Sequence, residues 1–206
     1  MSSEQTKKGY LIAFEGIDGT GKSTQVTLLA QFLRQQGLDV VITREPTNGI
    51  YGQRIRQLYQ ARDTVSRQQE LELFLADRRE HVAGVIAPAL ALGKVIVTDR
   101  YYFSTAAYQG AAGFDPESIL LQNEAFAPVP DLVILLELQP EQAVIRIQHY
   151  RQETLNHFEQ EEGLRQVAKV FSTLQRDCIH RIDASLAVDA LHSQIVALVK
   201  AKLTLS

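Results

Sequence analysis

The stretch FEGIDGTGKST, Phe14–Thr24, constrains this chain more than any other. Gly16, Gly21, Lys22 and Ser23 fit the pattern G-x-x-x-x-G-K-[ST], and Gly19 adds a third glycine. A short apolar run precedes the stretch, and Val26, Leu29 and Leu33 follow it at helical spacing. The local order is therefore strand, tight turn, helix. Glycines let the backbone turn sharply and approach a ligand closely. The N–H groups that open the next helix point at an anion. Lys22 can reach a β- or γ-phosphate, and the Ser23 hydroxyl can ligate Mg²⁺. The stretch reads as a cradle for a nucleoside triphosphate, built from Gly16, Ile17, Asp18, Gly19, Thr20, Gly21, Lys22, Ser23 and Thr24. By itself it identifies a binder and no reaction.

The rest of the chain alternates strands with helices. Apolar runs predict strands at Tyr10–Gly16, Asp39–Thr43, Lys94–Asp99, Asp131–Leu138 and Cys178–Asp183. The last places Cys178, the only cysteine, as an inert core residue. A helix over Ser23–Gln36 is stopped by Gly37, and a short one is expected near Gln53–Leu58. Ser66 with Gln69 three residues on is a capping-box signature, opening a long helix that bends at Pro88. PEQAVIRIQHYR, EEGLRQVAKVFSTLQRD and AVDALHSQIVALVKAKL supply three more helices. Short apolar strands separated by helices imply an α/β fold, a parallel sheet with helices on both faces. Ligands of such sheets bind beyond the strands' carboxyl ends. The 206 residues fit one domain, expected over 1–206. A net charge of −3 without a basic tail argues against a nucleic-acid grip. The N-terminus lacks a signal-peptide run and no apolar stretch suits a membrane span, so the expected location is cytoplasmic.

VIVTD ends in Asp99 and LVILLE ends in Glu137. Each reads as a strand delivering a carboxylate to the sheet edge, where phosphoryl transfer needs one for Mg²⁺. Asp99 is preferred because Arg100 follows and offers a bidentate phosphate clamp. Glu137 reads as structural or on the rim. Phe74 and Arg78, at i and i+4, share one helix face. They could serve a ligand together; otherwise Phe74 fills core while Arg78 pairs with Glu70 or Asp77.

FEGIDGTGKST, TREP, FLADRREH, DRYYFSTAAYQG and PDLVILLEL occur in this order, and together they resemble the thymidylate kinases, bacterial type. The likeness spans roughly Tyr10 to Asp183. It implies the P-loop nucleoside-monophosphate-kinase fold with five parallel strands and a short lid. It implies transfer of the ATP γ-phosphate to dTMP with Mg²⁺, giving dTDP and ADP, in dTTP synthesis by a cytoplasmic homodimer. In the resemblance Phe74 stacks on thymine, Arg78 bonds its carbonyl edge and Thr105 lies against that edge. Tyr108 packs under the deoxyribose and disfavours a 2′-hydroxyl, while Asp18 sits near the sugar hydroxyl. Arg100 and Arg56 grip the acceptor phosphate, Glu45 and Pro46 belong to the REP turn, and IDAS (Ile182–Ser185) lies along adenine. Ser23 and Asp99 are the metal-side residues, and Lys22, Asp18, Arg100, Arg146 and Arg151 the catalytic ones.

Two departures matter. Most bacterial relatives read REPGGT where this chain reads REPTNG. Gly19 and Thr20 follow Asp18, so the loop arginine of some thymidylate kinases is absent. The resemblance then asks the lid, about 146–160, to supply positive charge from Arg146 or Arg151. His81 reads as structural or a rim contact. Two alternatives stand beside a dTMP kinase: a kinase for another pyrimidine monophosphate, and a P-loop switch without a small acceptor.

Overall fold

The computed structural model describes residues 8–59, 65–151 and 161–204, with backbone alone for 150 and 151. Among them, β1 (Tyr10–Glu15), β2 (Val40–Arg44), β3 (Val95–Asp99), β4 (Leu132–Glu137) and β5 (Ile179–Asp183) form one parallel sheet in the order β2-β3-β1-β4-β5. The helices are α1 (Lys22–Gln35), α2 (Ile50–Leu58), α3 (Arg67–His81), α4 (Ala87–Ala91), α5 (Tyr102–Ala111), α6 (Pro116–Glu124), α7 (Pro140–Arg151), α8 (Glu161–Thr173) and α9 (Val188–Leu203).

Burial follows strand order. Leu11 to Phe14 of central β1 are fully excluded from solvent, as are nearly all of β3 and β4. A strand covered on both faces can be apolar at every position, which is why these runs show no alternation. Edge strand β2 is less covered, and its Ile42 is 43% exposed. All strands end at one edge: Phe14 and Arg44 both lie level with Asp99, and Glu137 lies level with Asp183. β1 has β3 on one side and β4 on the other, so successive connections diverge there and open a crevice.

The capping box forms as expected: Gln69 N–H donates to Ser66 Oγ at 3.2 Å, and Ser66 N–H to Gln69 Oε1 at 2.8 Å. The disturbance expected at Pro88 comes one turn earlier, as a π-helical segment over Val82–Ile86 joining α3 to α4. Proline has no N–H and its ring crowds the carbonyl four residues back, and a wider turn there accommodates both. α2 begins at Ile50, three residues before the expected start. Two helices went unanticipated. α5 is buried almost all round, so its sequence carries no amphipathic stripe. α6 was signalled by Asp115-Pro116, since both Asp115 oxygens cap it, from Glu117 N–H at 3.3 Å and Ser118 N–H at 3.1 Å. Cys178 lies just before β5, half-buried against the core, and burial raises its thiol.

Candidate active site

A cavity of about 1130 Å³ lies at the carboxyl edge of the sheet. The β1–α1 loop, the β2–α2 turn, α3, the start of α5, α7 and the β5–α9 turn all contribute walls.

The glycine loop forms one wall, and its glycines divide the work. A Cβ on Gly16 (φ 132°) would stand 2.4 Å from the Leu136 carbonyl oxygen, and one on Gly19 (φ 81°) 2.6 Å from that of Ala143. These two glycines let the loop pack against β4 and α7. Gly21 (φ 90°) has nothing within 4 Å of its virtual Cβ, so it leaves the cradle open to a ligand. No side chain caps α1, which keeps its first N–H groups available to an anion. Asp18 and Gly19 to Thr24 line the cavity, whereas Gly16 and Ile17 lie behind it. Their carbonyls accept from Lys22 Nζ at 3.0 and 2.7 Å.

That ammonium is 6% exposed; burial, reinforced by Arg100, pushes its pKa down to about 8. A phosphate beside it favours the charged form and draws the pKa back up. ATP binding above about pH 8 should therefore take up a proton, and ATP affinity should fall as pH rises through that value. Calorimetric titration at about pH 8.5 in two buffers of different ionisation heat measures the uptake; equal heats in both would exclude it.

Asp99 and Ser23 meet as the sequence suggested, with Ser23 Oγ donating to Asp99 Oδ2 at 2.5 Å. Among the described residues no group of three or more His, Cys, Asp or Glu could hold a metal. Two hard oxygens beside a phosphate cradle suit Mg²⁺, which keeps waters and takes phosphate oxygens for the remaining positions. Glu137 does not line the cavity; half-exposed, it accepts from Arg181 at 2.5 Å.

Beside the cradle, Arg100 is backbone-strained (φ 71°), a left-handed conformation that costs a non-glycine residue roughly 1 kcal/mol or more. Its side chain reaches Asp18 Oδ1 at 2.7 Å, Ser104 Oγ at 2.8 Å and Tyr108 Oη at 3.2 Å. Tyr108 Oη in turn donates to Asp18 Oδ2 at 3.1 Å, and Arg100 lies 5.0 Å from the Tyr108 ring centre. Burial raises the Tyr108 hydroxyl and pushes that of Tyr59 up to about 12, so both stay protonated.

The far end is a buried polar network. Arg78, 1% exposed, donates from Nε to Glu45 Oε2 at 2.9 Å and from Nη2 to the same oxygen. It also donates to Asn123 Oδ1 at 2.6 Å and Thr105 Oγ1 at 3.0 Å. Four of its five donors are thus committed. His81 completes the network, bonding Glu45 Oε1 at 2.8 Å and Thr43 Oγ1 at 2.6 Å. Burial alone would raise the Glu45 carboxyl, but Arg78 and His81 outweigh it and hold it below its ordinary range. The partner of Arg78 is therefore neither Glu70 nor Asp77 but Glu45, delivered from the REP turn. Phe74 lies half-buried on the cavity wall one helical turn away, not in the core.

The unusual REPTNG turn has its own anchors. Asp77 accepts from Thr47 N–H at 2.8 Å and Thr47 Oγ1 at 2.6 Å, tying the turn to α3. Arg56 donates to the Pro46 carbonyl at 3.1 Å and to Asn48 Oδ1 at 3.4 Å while lining the cavity. At the opposite end, the wall is made by Ala184 to Val188 and Leu191; of the Ile182–Ser185 turn expected along adenine, Ala184 and Ser185 line the cavity and Ile182 and Asp183 do not. Arg146 of α7 also lines the cavity. The Arg151 side chain, and 152–160 of the expected lid, lie outside what is described.

Sequence reasoning missed Tyr59, Ser104, Gln109 and Gln25, all in the cavity wall. Gln109 is 1% exposed and its Oε1 has no hydrogen-bond partner among the described residues. Its place one turn beyond Thr105 was a usable signal once α5 was known to be helical.

A phosphate cradle, an acidic strand end and a second cation-lined compartment on a five-stranded parallel sheet define a P-loop nucleoside-monophosphate kinase. A family model described as thymidylate kinase matches residues 14–195. A thymidylate kinase from Desulfotalea psychrophila is 53% identical over 192 residues, covering 93% of this chain and 95% of the relative. One from Xanthomonas campestris is 46% identical over 203 residues (98% and 88%), and one from Akkermansia muciniphila 44% over 205 (100% and 96%). The chain belongs to the thymidylate kinase family.

Proposed function

We propose that this enzyme transfers the γ-phosphoryl group of ATP to dTMP, giving dTDP and ADP. The observation that carries the reading is the single cavity joining the Lys22 cradle to the buried Arg78–Glu45 network through Arg100. ATP occupies the cradle with adenine along Ala184–Val188, and dTMP the other half. Mg²⁺, held through Ser23 and Asp99, supplies charge neutralisation on the triphosphate when bound. An acceptor phosphate oxygen attacks the γ-phosphorus in line, and the bond to the β,γ-bridging oxygen breaks. Phosphate monoesters are largely ionised at neutral pH, with a second pKa near ~6, so no general base is needed. Lys22, Arg100 and Arg146, with Arg151 a further candidate, offset the repulsion between the two anions. Asp18 and Tyr108 orient Arg100, and Arg56 approaches the acceptor phosphate.

Base choice follows from donors and acceptors. Thymine presents an N3–H between two carbonyls. The fifth donor of Arg78 suits O4, Gln109 Oε1, without a partner among the described residues, suits N3–H, and Phe74 offers a stacking face. Cytosine reverses both polarities and would leave buried groups unpaired.

An ADP-release assay with dTMP, dUMP, dCMP and UMP tests this. We expect dTMP to lead, dCMP to fail, and Tyr108→Ala to narrow the gap between dUMP and UMP by about tenfold or more. NTP hydrolysis indifferent to all four acceptors would favour a P-loop switch instead. The remaining parts of the reading are a cytoplasmic homodimer with no nucleic-acid or membrane partner. They are supported by the family likeness and the −3 net charge.

A further inference from the structure

We infer that Glu15, a residue the phosphotransfer chemistry does not itself use, is a further positioning residue for Arg100, acting from its buried side. The inference rests on the reading of Arg100 as the acceptor-phosphate clamp. Glu15 ends β1, is fully buried, and does not line the cavity. Its Oε1 accepts the Tyr101 N–H at 2.8 Å, and its Oε2 accepts from Ser104 Oγ. Ser104 Oγ also receives Arg100 Nη1 at 2.8 Å.

With Glu15 ionised, the direction of this chain is forced. Guanidinium only donates, so Ser104 Oγ must accept from Arg100. The hydroxyl has one hydrogen, and it goes to Glu15. Both Glu15 oxygens are therefore used as acceptors, which is the role of a carboxylate and not of an amide. Burial outweighs the opposing pull of Ser104, Arg100 and the Tyr101 N–H and leaves this carboxyl raised to about 7.

The same carboxylate fixes the backbone. Arg100 holds its left-handed φ of 71° because its N–H donates to the Phe14 carbonyl at 2.9 Å and its carbonyl accepts Thr98 Oγ1 at 2.8 Å. Glu15 takes the next N–H, that of Tyr101. It thus grips the turn from the backbone side and the guanidinium from the side-chain side. Arg100 then points at Asp18, between the cradle and the acceptor compartment.

Glu15→Gln keeps the shape but brings a donor where only acceptors fit. Ser104→Ala removes the relay and leaves the Tyr101 bond intact. Each should raise KM for dTMP by about tenfold or more while KM for ATP stays within about twofold. Arg100→Lys is run beside them, with thermal melting to confirm folding. If Glu15→Gln raises both KM values alike, the residue merely supports the glycine loop and the inference falls. It also falls if Ser104→Ala leaves KM for dTMP unchanged while Arg100→Lys raises it. If Arg100→Lys itself leaves that KM unchanged, the clamp reading fails first and takes this inference with it.

Discussion

Replacing Lys22 with alanine is expected to lower kcat/KM by about 10²–10³-fold or more while leaving the protein folded. The loss follows from chemistry that is nearly all positioning and charge. Two anions must be held close, and a fixed cation at the β- and γ-phosphates stabilises the charge that spreads over the γ-oxygens. Arg100 cannot substitute, because it is committed to Asp18, Ser104 and Tyr108. The fold should survive for a separate reason. The Lys22 ammonium is desolvated, with its pKa lowered to about 8, so in the free protein its charge is a cost rather than a support. Removing it opens the Gly16 and Ile17 carbonyls to the cavity that Lys22 lines, where a water entering in its place can replace the lost donor. Steady-state kinetics and a thermal melt on one preparation decide both halves. Near-normal turnover would refute the role of Lys22, and a collapse in melting temperature would refute the account of its burial.

Arg78→Ala is expected to destabilise the fold by about 3–5 kcal/mol and to abolish dTMP binding. The stability loss comes less from the missing arginine than from what remains. Glu45 would be left buried at 6% exposure with only His81 beside it, and Asn123 and Thr105 would lose their donor. An unpaired buried carboxylate cannot keep its charge cheaply. The double variant Arg78→Ala, Glu45→Gln should recover part of the loss, because a neutral amide tolerates burial better. The pH dependence has a definite sign. The Glu45 carboxyl is held below its ordinary 4.5, so the stability from its pairing is present above that value and lost as pH falls through the folded-state value. Urea unfolding at neutral and acid pH measures each quantity. A loss under about 1 kcal/mol would mean that the pair behaves like an exposed one.

The cradle and the acidic strand end were legible because their chemistry is local. Gly21, Lys22 and Ser23 are adjacent, and the one long-range element, Asp99, sits at the end of a recognisable apolar run. Arg78 was harder. Its helix offered Glu70 and Asp77 at close spacing, yet Asp77 is taken by Thr47 and the partner, Glu45, comes from the turn after β2. The REPTNG turn shows the same limit: that Thr47 would bind Asp77 depends on where α3 lies relative to the turn. α5 escaped notice because a helix buried on nearly every side has no stripe to read.

The sequence by itself determined the sheet, its carboxyl edge and the cradle, since periodicity and glycine placement are properties of neighbours along the chain. Tertiary structure alone decided which carboxylate meets which cation: Glu45 with Arg78, Asp18 with Arg100, Glu15 with Ser104. Such pairings join residues 33 to 89 positions apart, and only strand order and packing bring them within hydrogen-bond reach.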